Sequence, residues 1–281
     1  MREHDPLDRE YSPSTVARDP AGTLRRYRTR GDEARSRLTV REHVPYGTGD
    51  GERCHVFPAG PAAPALVFVH GGHWQESGVD DACFAAANAV ALGMAFVAVG
   101  YGLAPRRTLP DMVDSVARAI AWLHAAGPDH GIDPDRLHVA GSSAGAHLLA
   151  AALARPTTPP VRTACLLSGL YDLSEIPRTY VNDKLGLTDG QAARLSPLRM
   201  PAPRCEAVLL AAGEHETATY LRQHAEYAAH LARSGVPVTD VVVPERDHFD
   251  LPLDLVDPTT PFGLLTTRHT GATTREGTVT G

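Results

Sequence analysis

The chain has 281 residues, 43% of them hydrophobic, enough to bury one large α/β core but too few for two such domains with linkers. Its formal charge of -6 comes from 33 acidic against 27 basic side chains spread along the chain, so no basic face for nucleic acid or anionic lipid is expected. The opening Met1-Arg2-Glu3-His4-Asp5-Pro6 lacks the apolar core of a secretion signal, and no apolar run is long enough to span a bilayer, so the expectation is a soluble cytoplasmic protein with no membrane partner.

In chain order, a polar, Arg-rich segment up to about Ser36 is expected to be helical in part. Leu38 to Tyr46 and Glu52 to Phe57 flank Gly47-Thr48-Gly49-Asp50-Gly51 and read as a β-hairpin. The apolar runs Ala65 to Val69, Ala95 to Val99 and Leu137 to Ala140 suit strands buried on both faces of a parallel sheet. Between them, Met112, Val113, Val116, Ile120 and Leu123 recur at helical spacing over 111–126, as a crossover helix requires. Further units follow at 163–167 and 207–211 as strands, 218–234 as a helix and 238–243 as a strand. The sum is an α/β fold with a doubly wound, mostly parallel sheet and an antiparallel N-terminal hairpin. One domain is expected over 1–265, with the Pro-interrupted stretch 169–203 inserted where it lines the pocket, and a disordered tail over 266–281. Cys54, Cys83, Cys165 and Cys205 are widely spaced without a C-x-x-C pair and read as small hydrophobes, so neither a metal nor a cofactor is expected.

The chemistry starts at Gly141-Ser142-Ser143-Ala144-Gly145, where a buried strand ends and a helix begins at about Ala144. Small residues on either side allow a sharp turn that projects the Ser143 hydroxyl, and the helix N-terminus favours developing negative charge. Such a pentapeptide alone can be a plain connecting loop. His70-Gly71-Gly72-His73-Trp74, after the strand ending at Val69, supplies a backbone whose Gly71 and Gly72 N–H groups, with that of Ala144, can hold an oxyanion. Among 14 histidines, His248 follows the strand Val241-Val242-Val243 and is the candidate base, whereas His70 and His73 shape the oxyanion loop and His147 packs behind the nucleophile. For the acid, Gly213-Glu214-His215-Glu216 offers two carboxylates; Glu216 is the choice and Glu214 the alternative.

With these residues in place the chain resembles the kynurenine formamidases, or arylformamidases, of the α/β-hydrolase fold. His70-Gly71-Gly72-His73-Trp74-Gln75 resembles the family's H-G-G-x-W motif, Ser143-Ala144-Gly145-Ala146-His147-Leu148 its nucleophile helix, and Tyr220-Leu221-Arg222-Gln223 its Phe-x-Arg-Gln phrase after the acid. Ser168 to Leu173 and Tyr180-Val181-Asn182 are similar to its pocket segment, and His248-Phe249 to its catalytic histidine. Glu216 stands where aspartate is usual, Ser142 where histidine is common, and Thr219 where an acidic residue is common. The resemblance implies a serine hydrolase that cleaves N-formyl-L-kynurenine, or a related aromatic formamide, to formate and the free amine in tryptophan catabolism or a specialised pathway. His73, Trp74, Tyr171, Tyr180 and Phe249 are the candidate pocket residues. A broad carboxylesterase on the same triad and a non-catalytic scaffold are the competing readings, and a homodimer stays open.

Overall fold

In the computed structural model, which describes residues 5–272, the N-terminal segment folds first as two helices, α1 (Pro6–Glu10) and α2 (Pro20–Arg37). Then come strands β1 (Arg41–Pro45), β2 (Arg53–Phe57) and β3 (Ala63–Val69), helix α3 (Ala86–Ala91), strand β4 (Ala95–Val99) and helix α4 (Leu109–Ala126). Strand β5 (Ile132–Ser142) leads into helix α5 (Ala144–Leu153) and strand β6 (Val161–Leu167). Short helices α6 (Asn182–Leu185) and α7 (Asp189–Arg194) lie before strand β7 (Cys205–His215), helix α8 (Ala218–Arg233), strand β8 (Val238–Asp247) and helix α9 (Pro261–His269).

The strands form one eight-stranded sheet in the order β1-β2-β4-β3-β5-β6-β7-β8. β2 pairs antiparallel with both β1 and β4, and every other pair is parallel. This is the doubly wound, mostly parallel sheet with an antiparallel start that the pattern of runs predicts. Alternation along the strands sends Val67, Val97 and Val139 to a core shared with α4, α5 and α8, and Phe68, Ala98 and Ala140 to a second core that includes Ala34 and Ala89 from α2 and α3. Both faces are therefore covered, which is why the strands read as continuous apolar runs; each fully buried Val, Leu or Phe contributes about 1.5–3 kcal/mol.

Local signals set the crossover helix. Thr108 and Asp111 form a reciprocal capping box at the start of α4, and Met112, Val113, Val116, Ile120 and Leu123 are its buried stripe. The order of strands reverses direction at β3, so the loops after β3 and β5 open side by side at the carboxyl edge, the position where doubly wound sheets bind ligands.

Two expectations change. The tail expected to be disordered from Thr266 is helical through His269: Thr260 accepts from Gly263 N–H at 3.0 Å, and Thr266 and Thr267 bury their hydroxyls by donating to the Gly263 carbonyl. A Thr-rich stretch without apolar periodicity thus packs by satisfying its own polar groups. Residues 273–281, the rest of that expected tail, lie outside the described residues. In the inserted stretch 169–203, Tyr180 alone reaches the central cavity described below; its buried apolar residues, among them Leu170, Leu173 and Ile176, join the core that also takes in α8.

Candidate active site

The turn between β5 and α5 is forced by close packing. A side chain at Gly145 would lie 2.1 Å from the Val69 carbonyl oxygen, so only glycine lets α5 begin against the end of β3. Ser143, between the two elements, takes φ 55° and ψ -118°, a strained backbone for a residue with a side chain, held by its N–H donating to the Leu167 carbonyl at 2.8 Å. Ala144 is the first residue of α5, so its N–H has no partner within the helix.

The loop after β3 reaches the same place because Val69 pairs with Gly141. Gly71 packs so closely that a Cβ there would sit 3.2 Å from the Ser143 Cβ, and Gly72 turns with φ 107°. Neither the Gly71 nor the Gly72 N–H has an acceptor among the described residues. Buried side chains fix this loop. The His70 ring stacks on Tyr101 at 4.3 Å, and the Tyr101 hydroxyl donates to the His70 carbonyl at 3.0 Å. Trp74, fully buried, donates its indole N–H to His147 Nδ1 at 3.2 Å, which leaves His147 Nε2 to donate to the Leu195 carbonyl at 2.9 Å. Burial lowers both His70 and His147 to about 4, so both rings are neutral at ordinary pH.

On the other side of Ser143, β7 and β8 deliver Glu216 and His248. His248 Nδ1 stands 2.9 and 3.2 Å from the two Glu216 oxygens, with both side chains buried. Its opposite ring nitrogen, Nε2, has no partner among the described residues. Glu214, the alternative acid, is exposed and accepts the Glu245 N–H at 2.9 Å, out of reach of the imidazole. The reason lies at the end of the strand: β7 is buried through Gly213, its pairing with β8 shifts register between Gly213 and His215 and leaves Glu214 exposed, and the chain leaving β7 carries Glu216 inward. Asp247 anchors the histidine loop by accepting the N–H groups of Phe249, Asp250 and Arg18.

Ser143 and His248 line one cavity of about 420 Å³ together with His70, Gly71, Gly72 and His73. No direct hydrogen bond joins the Ser143 and His248 side chains in this arrangement; such bonds commonly tighten only when substrate closes the site. Residues 66–250 match a family model of the alpha/beta hydrolase fold. The kynurenine formamidases of Danio rerio and Salmo salar are 33% and 31% identical to the chain, each alignment covering 90% of it and 92% of the relative. The chain belongs to the kynurenine formamidase family of the α/β hydrolases. Its structure also superposes on the crystal structure of a Silicibacter sp. TM1040 protein, with a TM-score of 0.82 and 26% identity over 93% of this chain and 99% of the other.

Of the expected pocket residues, His73, Tyr180 and Phe249 line the cavity. Trp74 and Tyr171 do not, and the expectation is corrected for both. Trp74 is the buried pin of the loop described above, and Tyr171 is fully buried against Tyr227, their rings stacked nearly parallel with centroids 3.9 Å apart. Large aromatics near a site more often end in the core, where their area is worth most.

Sequence patterns carried no site signal for the N-terminal segment, yet it forms one wall. Pro13, Pro20, Ala21, Leu24 and Tyr27 line the cavity. This arch is tied down by the Tyr180 N–H donating to Asp8 at 2.7 Å, the Thr219 N–H to Glu10 at 2.8 Å, and the Tyr27 hydroxyl to the Phe249 carbonyl at 2.5 Å. Among the described residues, no helix is long and apolar enough to cross a membrane. The cysteines are free, and burial pushes Cys54 and Cys83 up to about 12, as expected of packing residues rather than reactive thiols.

Proposed function

We propose that this hydrolase cleaves the formamide of N-formyl-L-kynurenine or a related N-formyl arylamine, with Ser143 as nucleophile, His248 as base and Glu216 as the acid that orients it. The observation that carries the reading is the convergence of a strained Ser143, a Glu216-held His248 and the free Gly71 and Gly72 N–H groups on one cavity. The size and lining of that cavity support the substrate. Phe68, Phe84, Leu24, Tyr27 and Phe249 give its lining apolar surface for an aryl ring, and Gln75, Glu76 and Ser77 add polar groups for an amino-acid arm. The full-length relationship to kynurenine formamidases points the same way.

In this mechanism Ser143 Oγ attacks the formyl carbon as His248 Nε2 takes its proton, and the carbonyl oxygen becomes an oxyanion held by the N–H groups of Gly71, Gly72 and Ala144. Glu216 stabilises the imidazolium. The C–N bond then breaks while His248 returns the proton to the departing arylamine nitrogen. Water attacks the formyl ester, His248 takes its proton and passes it to Ser143 Oγ, and formate leaves.

The test is to incubate the protein with N-formyl-L-kynurenine and quantify formate and arylamine together. Equal release of both, lowered by about 10⁶ in Ser143→Ala, is the expected result. Turnover of short aryl esters with negligible formamide cleavage would move the protein to the carboxylesterases, and failure of a serine-directed phosphonate to label Ser143 would remove the hydrolase reading.

A further inference from the structure

Charge along the cavity wall is one-sided. Glu76 and Asp81 line it, and among the described residues no lysine or arginine does. Asp81 is answered from outside, since the Arg28 guanidinium donates to its carboxylate at 2.9 Å. The Glu76 carboxylate has no hydrogen bond or ion pair among the described residues. Burial lowers His70 and His73 to about 4, so neither ring brings a positive charge to the wall at ordinary pH.

The position of Glu76 is set by the same loop that offers the Gly72 N–H. The Glu76 N–H donates to the Gly72 carbonyl at 2.9 Å, and a side chain at Gly72 would meet the Glu76 carbonyl oxygen at 2.3 Å, so the two residues close one tight turn. Gln75 Nε2 pins that turn by donating to the Val181 carbonyl at 2.6 Å. Glu76 is left as its charged group, open both to solvent and to the cavity. Its charge reaches the facing wall: burial raises the Tyr180 phenol, and the Asp8 and Glu76 carboxylates add to the rise. An exposed carboxylate keeps its charge without a partner, and it gains one when a ligand brings a cation to the cavity.

We propose that Glu76 selects the substrate's side arm by charge, taking N-formyl arylamines whose arm carries an ammonium group. This rests on the formamidase reading and narrows it to cationic or zwitterionic aromatic formamides. In the bound substrate the ammonium donates to a Glu76 carboxylate oxygen. A carboxylate on the same arm stays in solvent, because the wall offers it no cation. An arm bearing a carboxylate alone meets like charge and is disfavoured.

The experiment compares kcat/KM for four formamides: N-formyl-L-kynurenine, its decarboxylated analogue, which keeps the ammonium, its deaminated analogue, which keeps the carboxylate, and formanilide, which has no arm. The decarboxylated compound is expected to equal or exceed N-formyl-L-kynurenine. The deaminated one is expected to fall about tenfold below both, mainly through KM, as one ion pair is lost and one repulsion remains. In Glu76→Gln, the ratio of kcat/KM on the decarboxylated analogue to that on formanilide is expected to drop about fivefold, the worth of a well-formed exposed ion pair. Glu76→Asp should restore part of that ratio, and Glu76→Lys should invert the order of the two charged analogues.

A deaminated analogue cleaved as well as the decarboxylated one would overturn the proposal. So would a Glu76→Gln loss of equal size on formanilide, which would make Glu76 a support of its loop and no reader of charge. A wild type that cleaves none of the four formamides while the phosphonate still labels Ser143 would end the formamidase reading. The charge preference is then read from short aryl esters with and without an ammonium arm, and equal kcat/KM on the two would overturn it as well.

Discussion

The serine turn and the N-terminal arch face each other across the same cavity but are built in opposite ways. The turn is held by neighbours: adjacent strands in register, a Gly145 that lets α5 touch β3, and a Ser143 backbone bonded to the next strand. The arch is held by single hydrogen bonds between residues 172 to 229 positions apart, such as Tyr180 to Asp8, Thr219 to Glu10, Tyr27 to Phe249 and Arg18 to Asp247. The proposed chemistry thus sits on the rigid sheet edge, whereas the facing wall hangs on long-range contacts worth about 1–3 kcal/mol each. The division teaches where reaction type and substrate range can vary independently.

Substitutions on the sheet edge should strike kcat hardest. Glu216→Gln is expected to lower kcat by up to about 10⁴, because the imidazole loses both its orientation and its counter-charge. Glu214→Gln, exposed and two residues away, is expected to stay within about twofold of wild type. Steady-state kinetics on the two variants decides this, and the reverse ranking would move the acid to Glu214. On the arch, Leu24→Ala removes apolar surface from the cavity wall and is expected to raise KM about fivefold with kcat and phosphonate labelling nearly unchanged. A fall in labelling rate instead would show that the arch also shapes the serine turn.

Acid offers a gentler way to probe the sheet-edge loops. Burial lowers His70 and His147 from 6.5 to about 4, so as pH falls the unfolded chain takes up protons before the folded one does. Their contribution to stability is complete above about pH 6.5 and is lost as the pH drops towards 4. Melting temperatures measured across that interval should decline steadily; a flat profile would contradict the burial of two neutral imidazoles beneath the loop after β3.

Much of this architecture was legible in the residues because it depends on near neighbours. Continuous apolar runs at 65–69 and 95–99, the helical spacing in α4, and small residues around Ser143 each follow from local sterics or from burial on two faces. Within the sequence itself, chain order and loop position singled out Ser143 and His248, and narrowed the acid to two neighbouring glutamates. Their separation by two residues, with opposite burial, needed the end of β7 to be seen. Trp74 and Tyr171 show the limit in another way: an aromatic beside a motif has one identity whether it faces a substrate or the core, and only packing on His147 or Tyr227 decides. The arch and the contact of the Tyr220 hydroxyl with His73 belonged entirely to the tertiary structure. Both depend on side chains that meet only after the sheet has closed, and such encounters leave no periodicity in the chain for a reader to find.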